Sequence, residues 1–439
     1  MNRWARNTLC VAAGAALLTV GTPLAVADPI PPAPATPVTD HCPYQAGPPP
    51  AVDTSEQVAP GATTPAPLPV PSPPVGGQAL GACGVAVPAG APPVPAGITA
   101  AGWMIADLDS GKVIAAKDPH GRYRPASTIK TLLALVAVKN LDLDETVTGT
   151  KADADMEGDR AGIGPGGHYT VRQLLQGLLL VSGNDCANAL AGQLGGTAQA
   201  LEKMNEEAKA LGAKDTRASS PSGLDAAGMS SSPYDLALIF RAAMQNADFR
   251  EITATREVPF PGYGAPPSPS ASIDPDNGGW TITEPDGEPS LVGHPSWPIQ
   301  NENELLQLYP GAIGGKTGYT DDARKTYIGA AERDGHRVVV TLMYGLNESD
   351  DSYWHQAEAM LDYGFANLGS AGVGNLVTSP AANSADTSNG GGHHNAATDQ
   401  SDDSDSGSST HWGRRIVYGL IGLAIVAGLV GAARRINKR

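Results

Sequence analysis

Positive charge is scarce in this chain of 439 residues, which has 29 Lys and Arg against 45 Asp and Glu and a formal net charge of −16. Nucleic-acid binding depends on a basic surface, so the sequence disfavours that class of function. Part of the acidic excess lies near the C-terminus, for example in Asp399, Asp402 and Asp405. The net charge therefore indicates solubility and disorder more than it indicates a substrate.

Cysteine is also rare, and the spacing of its four residues matches no metal site. We therefore expect no metal ion, and we expect no other cofactor. Cys10 lies in an N-terminal apolar run, and Cys186 is interpreted as a small buried thiol. Cys42 and Cys83 lie in a segment expected outside the membrane, where an oxidising environment permits a disulfide between them.

Apolar runs of a length relevant to membranes lie at the two ends of the chain. At the N-terminus, Arg3 and Arg6 precede an apolar run from Leu9 to Val20 and the small-residue pattern Ala25-Val26-Ala27. This pattern predicts a secretory signal peptide over residues 1–27. A short transmembrane anchor is the alternative interpretation.

The C-terminal run, residues 416–433, has 18 residues (433 − 416 + 1) and no charge. That length is at the lower limit of about 17–25 residues for a spanning helix. The tail after it is basic, with Arg434, Arg435, Lys438 and Arg439, which favours a cytoplasmic end. We therefore expect a transmembrane anchor over 414–439, a disordered Ser/Asp/Gly-rich tail over 371–413, and the bulk of the chain outside the cell.

Aromatic residues make up 5% of the chain and are almost missing from residues 28–96, which are dense in Pro, Ala, Gly and Val. Such a segment buries too little apolar surface to offset the entropy lost on folding. We therefore predict an extended, mostly disordered linker over 28–96.

Residues 97–370 have the patterns of one globular domain. The patterns predict strands near its start and near its end, with helices between them. They therefore predict an α+β domain with one sheet built from both ends and an inserted helical portion. Residues 260–298 are Pro/Gly-rich and are predicted to be a loop-rich insertion. The predicted strands are 102–108, 112–116, 312–314, 326–332 and 337–344, and the predicted helices are 128–138, 171–181, 185–194, 198–211, 233–246 and 352–368.

A possible nucleophile and base lie at the start of the first predicted helix. Ser127 and Lys130 are three residues apart, so they share one face of a helix. A serine hydroxyl needs an adjacent base, and a lysine can serve when burial or a neighbouring cation lowers its pKa. The pair is weak evidence alone, since such a spacing also occurs at ordinary solvated helix starts.

Two further patterns follow in the chain. Ser182 and Asn184 lie at a junction between predicted helices and offer a hydroxyl and an amide, although an N-cap motif is the simpler interpretation. Lys316, Thr317 and Gly318 offer a cation, a hydroxyl and a backbone that can approach a ligand closely. An ordinary turn between strands would contain similar residues.

Taken in order, Ser127-x-x-Lys130, Ser182-x-Asn184 and Lys316-Thr317-Gly318 resemble the three motifs of serine penicillin-binding proteins and serine β-lactamases. Two further stretches resemble the low-molecular-weight D,D-carboxypeptidases among them. These are Ser222-Gly223-Leu224-Asp225 and the segment from Asn301-Glu302-Asn303 to Tyr319-Thr320.

The resemblance implies a β-lactamase/transpeptidase-like fold, in which helices flank an antiparallel sheet, and a bacterial enzyme of peptidoglycan metabolism. Ser127 would attack the carbonyl group between the two terminal D-alanines of a peptidoglycan stem peptide, and Lys130 would be its base. β-Lactam antibiotics would acylate the same serine. Further roles are implied for six residues. Ser182 would pass on a proton, Asn184 would orient Lys130, Lys316 and Thr317 would bind the substrate's carboxylate, and the N–H groups of Ser127 and Tyr319 would form the oxyanion hole.

Other functions share these motifs. A class A β-lactamase would use a glutamate from a Glu-x-x-Leu-Asn segment, and the sequence between Asn184 and Lys316 contains none. D,D-endopeptidase activity cannot be separated from carboxypeptidase activity by these motifs. A wall-binding protein without catalysis is disfavoured, because every motif position is intact.

Overall fold

A computed structural model describes residues 36–265, 273–274, 278–284, 289–346 and 350–377. The predicted signal peptide (1–27), residues 378–413 of the predicted tail and the predicted anchor (414–439) lie outside these residues. Within the described ranges, no helix combines the length and the apolar character that crossing a membrane requires.

The described residues form strands at both ends of the domain and helices between them. The strands are β1 Val85–Ala86, β2 Ala100–Asp107, β3 Lys112–Lys117, β4 Thr146–Thr148, β5 His168–Thr170, β6 Glu257–Phe260, β7 Trp280–Thr283, β8 Pro289–Gly293, β9 Trp297–Gln300, β10 Ala312–Gly318, β11 Lys325–Arg333, β12 His336–Gly345 and β13 Gly374–Asn375. The helices are α1 Lys130–Asn140, α2 Lys151–Ala154, α3 Val171–Leu180, α4 Asn184–Gln193, α5 Thr197–Leu211, α6 Pro233–Ala243, α7 Ala247–Ala254, α8 Leu305–Leu308 and α9 Asp350–Ala366, with 3₁₀ turns at Gln78–Gly81 and Ala126–Ile129.

The main sheet is antiparallel and joins the two ends of the domain, as the sequence predicts. Its strands run in the order β1–β3–β2–β12–β11–β10, and β13 also pairs with β3. The early hairpin β2–β3 and the late strands β10–β12 meet where β2 pairs with β12. The 3₁₀ turn Ala126–Ile129, directly before α1, contacts β10 and β11 at the other end of the strand order.

Both faces of the sheet are covered, which explains why β2 is buried along almost its whole length. Side chains alternate along a strand. Trp103 and Ile105 pack in the cluster that contains Trp354 of α9, whereas Met104 and Ala106 pack in the cluster with the helices of the inserted portion. Helix α9 therefore covers one face, and α6 and α7 contact the other, with α1, α3, α4 and α5 adding side chains to the same hydrophobic cluster.

Local sequence signals define several helix ends. Thr170 and Gln173 form a capping box at the start of α3. Ser232 accepts a hydrogen bond from the first turn of α6, which begins at Pro233. Gly212 ends α5 in the left-handed conformation. The predicted helix spans are accordingly close to the observed ones.

The segment predicted to be a mostly disordered linker (28–96) is ordered over residues 36–96, so that prediction is wrong there. We call residues 36–96 the N-terminal arm. A disulfide joins Cys42 to Cys83, strand β1 extends the main sheet, and Leu80 is fully buried. The disulfide that the sequence permits is therefore present.

The arm is attached largely through its own backbone carbonyl groups. Arg122, which is buried, donates to the carbonyl oxygens of Leu68 and Pro69, the latter at 2.8 Å. Arg124 donates to the carbonyl oxygen of Pro49 at 2.7 Å. Proline-rich chain has few internal hydrogen bonds, so its carbonyl groups are available to such donors. Composition does not reveal this mode of attachment, which is why the sequence suggested disorder.

The insertion predicted to be loop-rich (260–298) is only partly described, and it contains strands that the sequence did not predict. Strand β6 pairs with β9, and β7 pairs with β8. Trp297 in β9 packs against Phe260, with ring centroids 5.6 Å apart. The strands are short, and their Pro and Gly content conceals the alternation that marks a strand.

Removal of the disulfide tests how strongly the arm is fastened. The bridge closes a loop with a sequence separation of 41, so a Cys42→Ser/Cys83→Ser variant should lose roughly 3–4 kcal/mol of unfolding free energy by the loop-entropy relation. Denaturant unfolding monitored by tryptophan fluorescence measures the loss. Reductant should lower the stability of the wild-type protein in the same way and leave the variant unchanged. A variant as stable as the oxidised wild type would contradict the expectation.

Candidate active site

Ser127 lies in the 3₁₀ turn Ala126–Ile129, directly before α1. In a 3₁₀ turn, side chains three residues apart stand above one another. Lys130 Nζ is accordingly 2.7 Å from Ser127 Oγ. The sequence placed both residues in the first turn of one α-helix, whereas the helix proper begins at Lys130. The predicted contact between the two side chains is confirmed.

The Lys130 amine contacts four oxygen atoms. Besides Ser127 Oγ, it lies 2.7 Å from Asn184 Oδ1, 2.7 Å from the carbonyl oxygen of Ser222 and 3.4 Å from Ser182 Oγ. The Asn184 amide oxygen and the Ser222 carbonyl can only accept. A neutral amine has two hydrogens for these two acceptors, which leaves its lone pair for the Ser127 hydroxyl. This geometry suits a general base.

The environment of Lys130 favours the neutral amine. Its side chain is fully buried, and this burial is the main reason that its pKa lies well below the usual value. The positive charge of Lys316 lowers the pKa further, while Asp159 and Glu302 oppose the shift. The sequence-based expectation that burial and Lys316 together lower this pKa agrees with the structure.

The second motif forms the short link between α3 and α4. Ser182 has a φ of +59°, which is uncommon for a residue with a side chain and often marks functional sites. Asn184 begins α4, and its Nδ2 donates to the carbonyl oxygen of Glu157 at 2.6 Å. This bond turns the amide oxygen of Asn184 toward Lys130. Ser182 and Asn184 are therefore both brought to the Lys130 amine, as the motif order suggests.

Asp185, next to this link, holds the backbone of residues 161–163 in place. Its carboxylate accepts hydrogen bonds from the backbone N–H groups of Ala161, Gly162 and Ile163 at 2.7–3.0 Å. The next residue, Cys186, is fully buried, and burial raises the pKa of its thiol well above the usual value. The interpretation of Cys186 as a buried thiol is thus confirmed.

The third motif lies on β10, at the free edge of the main sheet. Lys316 is buried, and its Nζ donates to the carbonyl oxygen of Thr317 at 2.9 Å. Gly318 lies so close to the nucleophile turn that an added Cβ would be 2.9 Å from Ser127 N and 2.4 Å from Thr326 Oγ1. Only glycine allows this approach.

Thr326, on β11 next to the edge strand, joins the sheet to the nucleophile turn, because its hydroxyl donates to the carbonyl oxygen of Pro125 at 2.8 Å. Gly223 contributes from the other side. It has a φ of +91°, and an added Cβ would lie 2.0 Å from the carbonyl oxygen of Ala126. The nucleophile turn is thus packed between two segments that both require glycine.

One open pocket contains residues of all three motifs. Its lining includes Ser127, Ser182, Thr317, Gly318 and Tyr319. The remaining lining residues are Asp159, Glu302, Glu304, Lys325, Thr326, Tyr353 and Trp354. The structure thus brings the predicted site residues together at one cleft. Behind its lining, Lys130 is buried against Ser127 and Ser182, and Lys316 is buried against Thr317.

Sequence reasoning missed two contacts in this cleft. Ser222 was noted only as part of a family signature, yet its carbonyl group is a partner of Lys130. Glu302 was noted only within a stretch preceding the third motif, yet its carboxylate accepts a hydrogen bond from Thr317 Oγ1 at 3.2 Å. Both contacts join residues far apart in the chain, so local patterns carry no signal for them.

Comparison with known proteins agrees with this geometry. The sequence profile of the D-alanyl-D-alanine carboxypeptidases (peptidase S11) matches residues 89–261. D-alanyl-D-alanine carboxypeptidase DacB2 of Mycobacterium tuberculosis (strain ATCC 25618 / H37Rv) is 50% identical over 292 residues, which are 66% of this chain and 90% of that protein.

Solved structures are similar as well. The crystal structure of the D-alanyl-D-alanine carboxypeptidase from Mycobacterium tuberculosis H37Rv matches with a TM-score of 0.56 and 46% identity, over 66% of this chain and 99% of that chain. The Streptomyces K15 DD-transpeptidase matches with a TM-score of 0.52 and 30% identity, over 63% of this chain and 100% of that one. The resemblance seen in the motifs is confirmed, and this chain belongs to the D-alanyl-D-alanine carboxypeptidase family.

Proposed function

We propose that this chain is a serine-type D-alanyl-D-alanine carboxypeptidase that removes the terminal D-alanine from peptidoglycan stem peptides. The observation that carries the proposal is the 2.7 Å contact between Lys130 Nζ and Ser127 Oγ. Ser127 lines a pocket together with Thr317, whose hydroxyl is 3.3 Å from the buried Lys316 amine. The buried amine is a base next to a nucleophile, and the third motif offers a cation and a hydroxyl for a terminal carboxylate.

In the proposed reaction, Ser127 Oγ attacks the carbonyl carbon of the penultimate D-alanine while its proton passes to Lys130. The backbone N–H groups of Ser127 and Tyr319 donate to the developing oxyanion. The C–N bond then breaks, and a proton passes through the Ser182 hydroxyl to the leaving amine. Water attacks the resulting ester, which returns the serine and releases the shortened peptide. A β-lactam antibiotic acylates the same serine, and the resulting ester is hydrolysed more slowly.

We further propose that the chain is secreted across the bacterial cell membrane and anchored in it, with the catalytic domain outside. This proposal is supported by the sequence patterns of a signal peptide over 1–27 and a transmembrane anchor over 414–439 with a basic end. The disulfide of the arm suits an oxidising compartment.

The nucleophile is tested by Ser127→Ala. Without the hydroxyl no acyl-enzyme forms, so we expect release of D-alanine from a stem pentapeptide to fall at least about 1000-fold, together with loss of labelling by fluorescent penicillin. Ser110→Ala, in the exposed turn between β2 and β3, is the matched control and should retain both activities. Retained labelling of a folded Ser127→Ala protein would show that another residue is the nucleophile.

The role of Lys316 in the pKa of Lys130 is tested by Lys316→Gln. Removing the neighbouring positive charge raises the pKa of Lys130, so less neutral amine is present at a given pH. The acid limb of the pH profile for acylation by fluorescent penicillin should therefore move to higher pH. Lys316→Arg retains the charge, so its acid limb should stay near the wild-type position. An unmoved profile in Lys316→Gln would contradict the coupling.

The orientation is tested with intact cells that express the full chain. Protease added outside should degrade the catalytic domain, while an epitope placed after Arg439 should remain protected. Cells opened with detergent provide the control, because both parts are then accessible. Protection of the catalytic domain in intact cells would contradict the proposed orientation.

A further inference from the structure

The Glu302 carboxylate contacts the two groups that are proposed to bind the substrate's carboxylate. A single oxygen, Oε2, accepts the Thr317 Oγ1 hydrogen bond at 3.2 Å and lies 3.8 Å from Lys316 Nζ. Thr317 and Glu302 both line the pocket that contains Ser127. A carboxylate of the protein itself is thus seated at the hydroxyl and the cation of the third motif.

The backbone of Glu302 is held by hydrogen bonds on both sides, whereas its side chain is partly exposed to solvent. Its N–H donates to the carbonyl oxygen of Leu180 at 2.8 Å. The asparagines on either side are buried: Asn301 donates to the carbonyl oxygen of Thr255 at 2.8 Å, and Asn303 accepts a bond from Tyr327 at 3.0 Å. The Glu302 side chain is 40% exposed. A rotation of this side chain can therefore withdraw the carboxylate without any movement of the backbone.

The same contact meets an electrostatic need of Lys316. Burial lowers the pKa of Lys316, and the carboxylates of Glu302 and Asp159 oppose this shift. A buried ammonium group requires a compensating charge. In the free enzyme, Glu302 supplies part of that charge at the position where an incoming carboxylate would supply it.

Two carboxylates cannot use this position together. Thr317 has one hydroxyl hydrogen, and a carboxylate has none to donate. Like charges brought this close also repel each other. Binding of a substrate carboxylate to Lys316 and Thr317 therefore requires Glu302 to leave.

We propose that Glu302 is an internal competitor for the carboxylate subsite, which the terminal carboxylate of the stem peptide displaces before Ser127 reacts. This inference rests on the proposed function, in which Lys316 and Thr317 bind that carboxylate. Glu302 thereby sets the affinity for substrates and inhibitors that have a carboxylate, and it takes no part in bond breaking.

The test is Glu302→Gln, which retains the size of the side chain and removes its charge. The competing bond is an exposed, charge-assisted one, so its loss should raise the second-order acylation constant for fluorescent penicillin about threefold to tenfold. The KM for a stem pentapeptide should fall by a similar factor, with kcat nearly unchanged. Glu304→Gln is the matched control. Glu304 lines the same pocket two residues along, so its variant measures the general effect of removing a negative charge.

A second substrate separates competition from a structural effect. At a pH on the plateau of the acylation profile, where Lys130 is neutral in both proteins, a peptide thioester without any carboxylate should be hydrolysed at the same rate by the wild type and by Glu302→Gln, because it has no group that competes with Glu302. A gain with this thioester, an equal gain in Glu304→Gln, or no gain with penicillin would overturn the inference. Failure of the wild-type enzyme to release D-alanine would instead overturn the proposed function, so the two failures are distinguishable.

Discussion

The Lys130 amine is enclosed by four oxygen atoms from three separate stretches of chain, which contain Ser127, the pair Ser182 and Asn184, and Ser222. Among the described residues no carboxylate forms an ion pair with this buried amine, which makes its ionisation costly although Asp159 and Glu302 act on it from farther away. The neutral amine satisfies both pure acceptors and points its lone pair at Ser127. Every one of the three stretches must therefore lie within hydrogen-bonding distance of one atom. Much of the packing around the site follows from this requirement.

The N-terminal arm contributes to the packing beside the nucleophile. Arg124, three residues before Ser127, donates to both carboxylate oxygens of Glu56, at 2.5 and 2.8 Å. The backbone of Val52 donates to Asp322, in the loop that follows the third motif. The arm thus contacts the segment before the nucleophile and the loop after the third motif at one place, since Arg124 Nε lies 3.9 Å from Asp322 Oδ2. The disulfide between Cys42 and Cys83 restricts this segment in the unfolded chain. Less conformational entropy is therefore lost when the arm forms these contacts.

Much of this arrangement could be predicted from the sequence, and the remainder has identifiable physical reasons. The spacing of Ser127 and Lys130 and the apolar pattern after them predicted the contact and the buried helix. The arm was wrongly predicted because its partners, Arg122 and Arg124, bind carbonyl groups, and carbonyl groups belong to every residue. The roles of Ser222 and Glu302 were missed because their contacts cross the fold and leave no local pattern.

The two buried lysines need opposite protonation states, and the same acidic groups act on both. Glu302 and Asp159 raise the pKa of Lys316, as carboxylate binding requires, but they also raise the pKa of Lys130, which opposes its function as a base. A substrate carboxylate added to this set would favour the protonated form of Lys130 further. If the substrate replaces Glu302 instead, the number of negative charges beside Lys316 stays the same. The exchange would then allow an anionic substrate to bind without protonating the base that must activate Ser127.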